Sequence, residues 1–451
     1  MNKDLTSGSV FKTILYFSLP YLLSYFLQTL YGMADLFIIG QFNAVESTTA
    51  VSIGSQVMHM LTVMIVGLAM GTTVLIGRTV GAKQSKQTAR AIGNSVTLFL
   101  SVAILITIIL LLLVKPIVSV MSTPAEAVDG TISYLIVCFI GIPFITAYNI
   151  ISSIFRGMGD TKSPMYFIAI ACVCNIALDY LFIGALQLGP VGAALGTTIA
   201  QAISVVLSLI YICKKKMLPA LTKNDFKPEK SVLGTILKIG IPVALQDGLI
   251  QISFIIITIF ANQRGLTDAA AVGIVEKIIS FLFLVPSSML SAVSALCAQN
   301  IGAGKHDRSK KVLKYAVAMA AIYGICIAII MQFVAHPIIS MFSSDADVVL
   351  RGSEYMHSYV IDCIFAGIHF SCSGYFCAYG LSGISFLHNI IGIIIARLPL
   401  SYITAKYFLS SLFPMGLAAP AGSAISVVIC IIALIWMHRH SDKVYAGLES
   451  A

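Results

Sequence analysis

Charge is what this sequence has least of. Only 10% of its 451 residues are Asp, Glu, Lys or Arg and 58% are hydrophobic, whereas a soluble globular domain carries about 25% charged residues. That shortage excludes an ordinary soluble fold. Strand-like alternation is missing too, and the apolar runs are more than twice as long as a barrel strand requires, so helices rather than a β-barrel are expected to cross the bilayer. No cleavable leader is expected: residues 1–12 are polar and the first apolar run is too long for a signal h-region. The eight His lack metal-ligand spacing, and Cys172, Cys174, Cys326, Cys372 and Cys377 fall inside apolar runs, where free Cys behaves as a small hydrophobe. Neither a disulfide nor a cofactor is therefore expected. No Ser and His, or paired carboxylates, stand in a motif that would make an intramembrane enzyme.

What is present is a series of apolar stretches, each near the roughly 20 residues that a hydrocarbon core about 30 Å thick demands. Twelve are found, near 14–39, 50–75, 92–114, 131–154, 164–186, 190–213, 235–260, 270–296, 312–335, 354–378, 385–406 and 416–437. The formal net charge is +9, and its placement decides its meaning. Most Lys and Arg fall before span 1, between spans 2 and 3, 4 and 5, 6 and 7, or 8 and 9, and after span 12. Lys115, Arg264, Arg351 and Lys406 lie on the opposite side, while Lys277 and Arg397 lie inside spans. This is positive-inside asymmetry, which predicts a multi-pass membrane protein with both termini in the cytoplasm. Clusters such as Lys214, Lys215 and Lys216 then read as orientation signals, and no nucleic-acid partner is expected.

The long polar segment 214–230 divides the spans six and six. "ILYFSLP" (14–20) answers "ILKIGIP" (236–242), "VGAKQSKQTAR" (80–90) answers "IGAGKHDRSKK" (301–311), and "GPVGAALG" (189–196) answers "FPMGLAAP" (413–420). An offset of 221 to 224 residues recurs in all three, which argues for a duplication. With an even number of spans per half, the halves share one orientation in the membrane. The expected fold is all-α: an N-lobe over 1–213, a cytoplasmic linker over 214–234, a C-lobe over 235–437 and a cytoplasmic tail over 438–451. Two parallel six-helix lobes leave a central cleft, the geometry of alternating access. Pro20 and Pro242 interrupt the first helix of each half after about two turns, and are candidate hinges.

Ionisable residues in hydrocarbon are costly unless paired or hydrated, so each marks a candidate site. Asp35 in span 1 and Asp179 in span 5 each lie about 8 Å below the outer boundary, and Thr197 in span 6 about 11 Å below it, at 1.5 Å per residue. Asn175 lies one turn below Asp179, on the same helical face. Four polar side chains thus share a depth, with no basic residue inside that half's apolar runs. Their missing partner is a proton, a metal cation such as Na⁺, or water; no other metal is expected. In the second half, Glu276, Lys277, Asp362 and Arg397 suggest structural ion pairing. Asp247, one turn below Pro242, has no partner nearby in sequence and is a candidate for a cationic substrate. Gln28, Met58, Gln246, Asp247 and Met289 are the candidate cleft residues, although methionines are more often packing.

"FRGMGDTKSP" (155–164), "NIALDYLFIG" (175–184), "GPVGAALGT" (189–197) and "GRTVGAKQ" (77–84) carry a resemblance to the MATE family of multidrug and toxic compound extrusion transporters. The likeness runs through essentially the whole chain and is greatest to the bacterial DinF-type and MepA-type exporters. It implies an antiporter of a bacterial inner or plasma membrane that expels bulky, often cationic amphiphiles in exchange for Na⁺ or H⁺; a monomer without cofactor is expected. Motif matched to motif, it implies a cation site at Asp35, Asn175, Asp179 and Thr197, and the family's bend at Pro20. Where NorM-type members carry a Glu in span 7, this chain has Ile250, which departs from the pattern for a C-lobe cation site. The alternative within the same broad superfamily is a lipid-linked precursor flippase. Such relatives usually have extra spans and a cavity lined with Arg and Lys, whereas this chain has one mid-membrane Arg and one Lys.

Overall fold

The computed structural model describes residues 4–215 and 218–449, with side chains through Tyr445. Lys216, from the basic cluster, lies outside the described residues. Among those residues all regular structure is helical. The apolar runs become α1 (Val10–Phe42), α2 (Val45–Gly81), α3 (Ser85–Val120), α4 (Ala125–Gly157), α5 (Lys162–Ala185), α6 (Gly189–Lys215), α7 (Lys230–Asn262), α8 (Leu266–Gly302) and α9 (His306–Ser340). Next come α10, a pair Ala346–Tyr359 and Asp362–Ala378 bent by 41°, then α11 (Ser382–Tyr407) and α12 (Phe413–Arg439). Eleven helices are long and apolar enough to cross a membrane, or twelve with the bent pair taken as one span. A short α13 (Ser441–Glu449) follows.

Leu112, Val120 and Phe333 are 77%, 84% and 79% exposed, an outward apolar surface that suits lipid and not water. Helix ends follow local chemistry. Asp345 accepts the amides of Asp347 and Val348 at the start of α10, a side-chain N-cap. Just past the ends of α4 and α10, Gly159 (φ +89°) and Gly380 (φ +74°) take the left-handed conformation that a side chain resists.

The chain divides into two compact units. Unit 1 takes in Leu19–Leu237; unit 2 takes in Thr6–Ser18 and the chain from Lys238 onward. The first turns of α1 are held within unit 2, where Arg308 donates to the carbonyls of Ser7 and Gly8 and Phe11 packs edge-on against Tyr315. The first turns of α7 are held within unit 1, where Gly71 of α2 leaves room for the Ile236 carbonyl. Both unit boundaries fall just ahead of the two hinge candidates. Helical structure nevertheless runs through Pro20 and Pro242 without a break, since one missing ladder bond is tolerated when the neighbouring turns stay paired. The irregularities lie elsewhere: at Phe283, at the bend in α10, at Leu417 in α12, and in π-helical turns over Tyr180–Ala185 and Ile393–Arg397.

Unit 1 is cored by Ile76, Ile92, Phe99, Phe155 and Ile168, and by Ile38, Val51, Leu135 and Phe139. Unit 2 is cored by Val272, Val275, Met356, Tyr359 and Leu412. The segment before α7 is strapped to α3. Asn94 donates to the Asp225 carbonyl (3.1 Å) and accepts the Glu229 amide (2.7 Å), and Thr97 donates to the Phe226 carbonyl (2.8 Å). Thr222 and Asp225 close a capping box there. Hydrogen bonds from the Thr222 side chain and amide hold the Asp225 carboxyl below the usual carboxylate range.

Candidate cation-binding site

Within unit 1, α1, α5 and α6 bring together the four polar residues that the sequence singles out. Asp35 is 4% exposed, Asn175 1% and Asp179 0%. Thr197 Oγ1 donates to Asp35 Oδ2 at 2.8 Å. The carboxyl groups of Asp35 and Asp179 meet, with Asn175 beside them. Asp35 Oδ1, both Asp179 oxygens and both Asn175 amide atoms are buried without a protein partner. Orphaned buried acceptors are rare and costly. Among the described residues no Lys, Arg or His forms an ion pair with either aspartate.

Three further residues stand around these groups. Gly196 has no side chain, and the place where a Cβ would stand is taken by Asp179 Oδ1, with Asn175 Nδ2 3.6 Å away. One turn before Asp35, the Tyr31 hydroxyl accepts from Gln201 Nε2 at 3.1 Å, while Gln201 Oε1 stays buried and unpartnered. Gly196 adjoins Thr197 in "GAALGT", so a small residue beside a candidate ligand was the available sequence signal. Tyr31 had none, since tyrosines are common in these runs.

The second half behaves differently. Arg397 donates to the Tyr359 hydroxyl (2.8 Å) and lies over the Phe254 ring (4.5 Å). Asp362 and Glu276 are within its electrostatic reach, yet no contact within ion-pair distance joins them among the described residues. Both Asp362 oxygens are buried and orphaned, and Glu276 Oε2 accepts from Thr258 at 3.2 Å. Lys277 is exposed and takes no part. The ion pairing expected among Glu276, Lys277, Asp362 and Arg397 is thus not found within ion-pair distance among the described residues, and Glu276 and Lys277, adjacent on a helix, do not face each other. The buried pairing that does form links Arg264 to Asp268 at 2.7 Å.

The cleft candidates divide between the units. Gln28 lines a small cavity with Arg156 in unit 1, whereas Met58 packs in the core beside Ile38 and Val51. In unit 2, Gln246 Oε1 accepts from Ser385 (2.7 Å), Asp247 is half-buried, and Met289 is 6% exposed. The two methionines serve packing. A basic residue also emerges where the sequence showed none: Arg156, beyond the apolar run of span 4, lies in the last turn of α4 and is only 7% exposed.

Comparison with known proteins bears on the same elements. The chain is 29% identical over 396 residues to the probable multidrug resistance protein YpnP of Bacillus subtilis, covering 88% of each chain. It is 26% identical to the multidrug export protein MepA of Staphylococcus haemolyticus, covering 83% of this chain and 82% of that one. It superposes on a solved outward-facing MATE family transporter of the MOP superfamily with a TM-score of 0.89 at 22% identity, covering 100% of this chain and 99% of that one. The fold is therefore that of the solved transporter. The MatE family model matches residues 20–181 and again 242–403, two stretches 222 residues apart. At that spacing Asp35 corresponds to Ile257, Asn175 to Arg397 and Asp179 to Ser401, so the second copy of the site lacks both aspartates and holds a guanidinium. Matched in both halves, the chain belongs to the MatE family.

Proposed function

We propose that this protein is a cation-coupled antiporter that expels amphiphilic, often cationic, drug-like compounds from a bacterial cell. The reading rests on the Asp35–Asp179 pair: two carboxyl groups meeting in a buried pocket with orphaned oxygens and no basic partner. Na⁺ suits the set because carboxylate, amide and hydroxyl oxygens are hard ligands. H⁺ suits it because one proton shared between the carboxyls relieves their repulsion. The exporter names of its relatives supply the substrate class. Coupling requires that cation and substrate favour different conformations, since a ligand indifferent to the two states shifts nothing. Both termini face the cytoplasm in this reading, and the protein acts as a monomer.

Asp35→Asn and Asp179→Asn are expected to abolish dye extrusion from an efflux-deficient host at normal membrane expression. Unchanged extrusion by either variant would remove the site. In proteoliposomes, a Na⁺ gradient and a pH gradient applied separately identify the ion that drives uptake into inverted vesicles.

A further inference from the structure

Unit 1 buries a second charge, away from the aspartates and of opposite sign. Arg156 is 7% exposed, and no carboxylate lies within ion-pair distance of it among the described residues. Its protein contacts are a hydrogen bond to Ser153 Oγ at 2.6 Å and the face of the Tyr21 ring at 5.0 Å. The carbonyls ending α4 offset about half an elementary charge, leaving the remainder without a counter-charge. Asp160, four residues on, is turned away: it accepts from the amides of Lys162 and Ser163 and from the Ser163 hydroxyl. Buried guanidinium groups are ordinarily paired.

Beside Arg156 is a cavity of about 20 Å³, lined also by Ser24, Tyr25, Asn149, Ser152 and Thr161. Ser152 is 3% exposed and its hydroxyl, within reach of the Tyr148 hydroxyl, makes no hydrogen bond of good geometry, so a buried donor stands at the cavity wall. A water-sized sphere fits there with room to move, so the cavity has space for a compact ion beside the guanidinium. The fold does not demand a cation at this position. The matching turn of unit 2, with Gly380 in the left-handed conformation of Gly159, has the neutral and buried Cys377 in place of Arg156.

We infer that Arg156, with the Ser152 hydroxyl, forms a binding site for a single compact anion of the halide class, chloride being the natural occupant. The anion supplies the missing counter-charge and accepts from the Ser152 hydroxyl. The site lies wholly within unit 1 and does not depend on the transport reading. It is tested on the purified full-length protein by its thermal unfolding midpoint at fixed pH and ionic strength, with sodium gluconate replaced stepwise by sodium chloride, sodium bromide or sodium phosphate. Chloride and bromide are expected to raise the midpoint saturably, and phosphate not. Arg156→Gln should abolish the rise, and Ser152→Val should increase the half-saturating chloride concentration on the order of tenfold, as for loss of a hydrogen bond to a charged group. A crystal grown in bromide should show one anomalous peak beside Arg156, which tests the wild-type protein even if the variants fold poorly. Equal midpoints in chloride and gluconate, an equal rise with phosphate, an undiminished rise in Arg156→Gln, or no bromide at Arg156 would each overturn the assignment.

Discussion

Gly196 is a glycine because Asp179 needs its space. Adding one methyl group at this position collides with Oδ1 of Asp179 and forces that carboxyl to shift, and overpacking of this kind costs about 1–3 kcal/mol. Gly196→Ala is accordingly expected to weaken the half-saturating driving-ion concentration by roughly tenfold or more, at about 1.4 kcal/mol per decade, while folding and membrane insertion persist. Transport at full wild-type ion affinity would show that Asp179 is not a ligand. Thr197→Val tests a smaller effect. It removes the 2.8 Å donor to Asp35 Oδ2, a charge-assisted bond worth about 1.5–3 kcal/mol, and Thr197→Ser should restore what Thr197→Val loses. The four candidate ligands could be picked out of the sequence because ionisable and amide side chains stand out in apolar runs. Gly196 could not, since its role depends on which side chain reaches across from α5.

At the scale of elements, the strap on α3 is a hydrogen-bonded device with a definite pH response. The Asp225 carboxyl is held below its ordinary range by Thr222. A depressed folded value means that the ionised form is the stabilising one. Its contribution is present above the unfolded carboxylate value of about 4 and disappears as pH falls through the folded value. Limited proteolysis of the 222–229 segment should be slow near neutral pH and faster under strong acid, with Asp225→Asn cleaved quickly at both. Asn94→Ala should loosen the same segment, because Asn94 bonds it twice. Two element-level readings from the sequence failed for instructive reasons. Hydropathy ended span 4 before Arg156, but the helix runs on to Gly157 and folds the guanidinium beneath Tyr21. Adjacency suggested that Glu276 meets Lys277, but successive helical residues point about 100° apart.

At the scale of the whole molecule, a duplicated chain carries unlike charges in its two copies. Unit 1 buries a pair of aspartates, whereas unit 2 holds Arg397 at the position corresponding to Asn175, within reach of Asp362 and Glu276. Arg397→Met should lower stability by about 1.5–3 kcal/mol, the cost of losing a charged donor to the Tyr359 hydroxyl, and by more if the nearby acids are ionised. A thermal midpoint and expression level equal to wild type would count against both contributions. The sequence by itself determined the solvent, the number of crossings and the duplication, because each depends on sums over many residues of a segment and tolerates small errors of boundary or rotation. Only the tertiary structure decided that Asp35 and Asp179 share one pocket, that Gly196 makes room for them, and that Arg156 turns inward. Such meetings depend on the rotation and depth of each helix against its neighbours, and those are set by packing between segments rather than by the composition of any one of them.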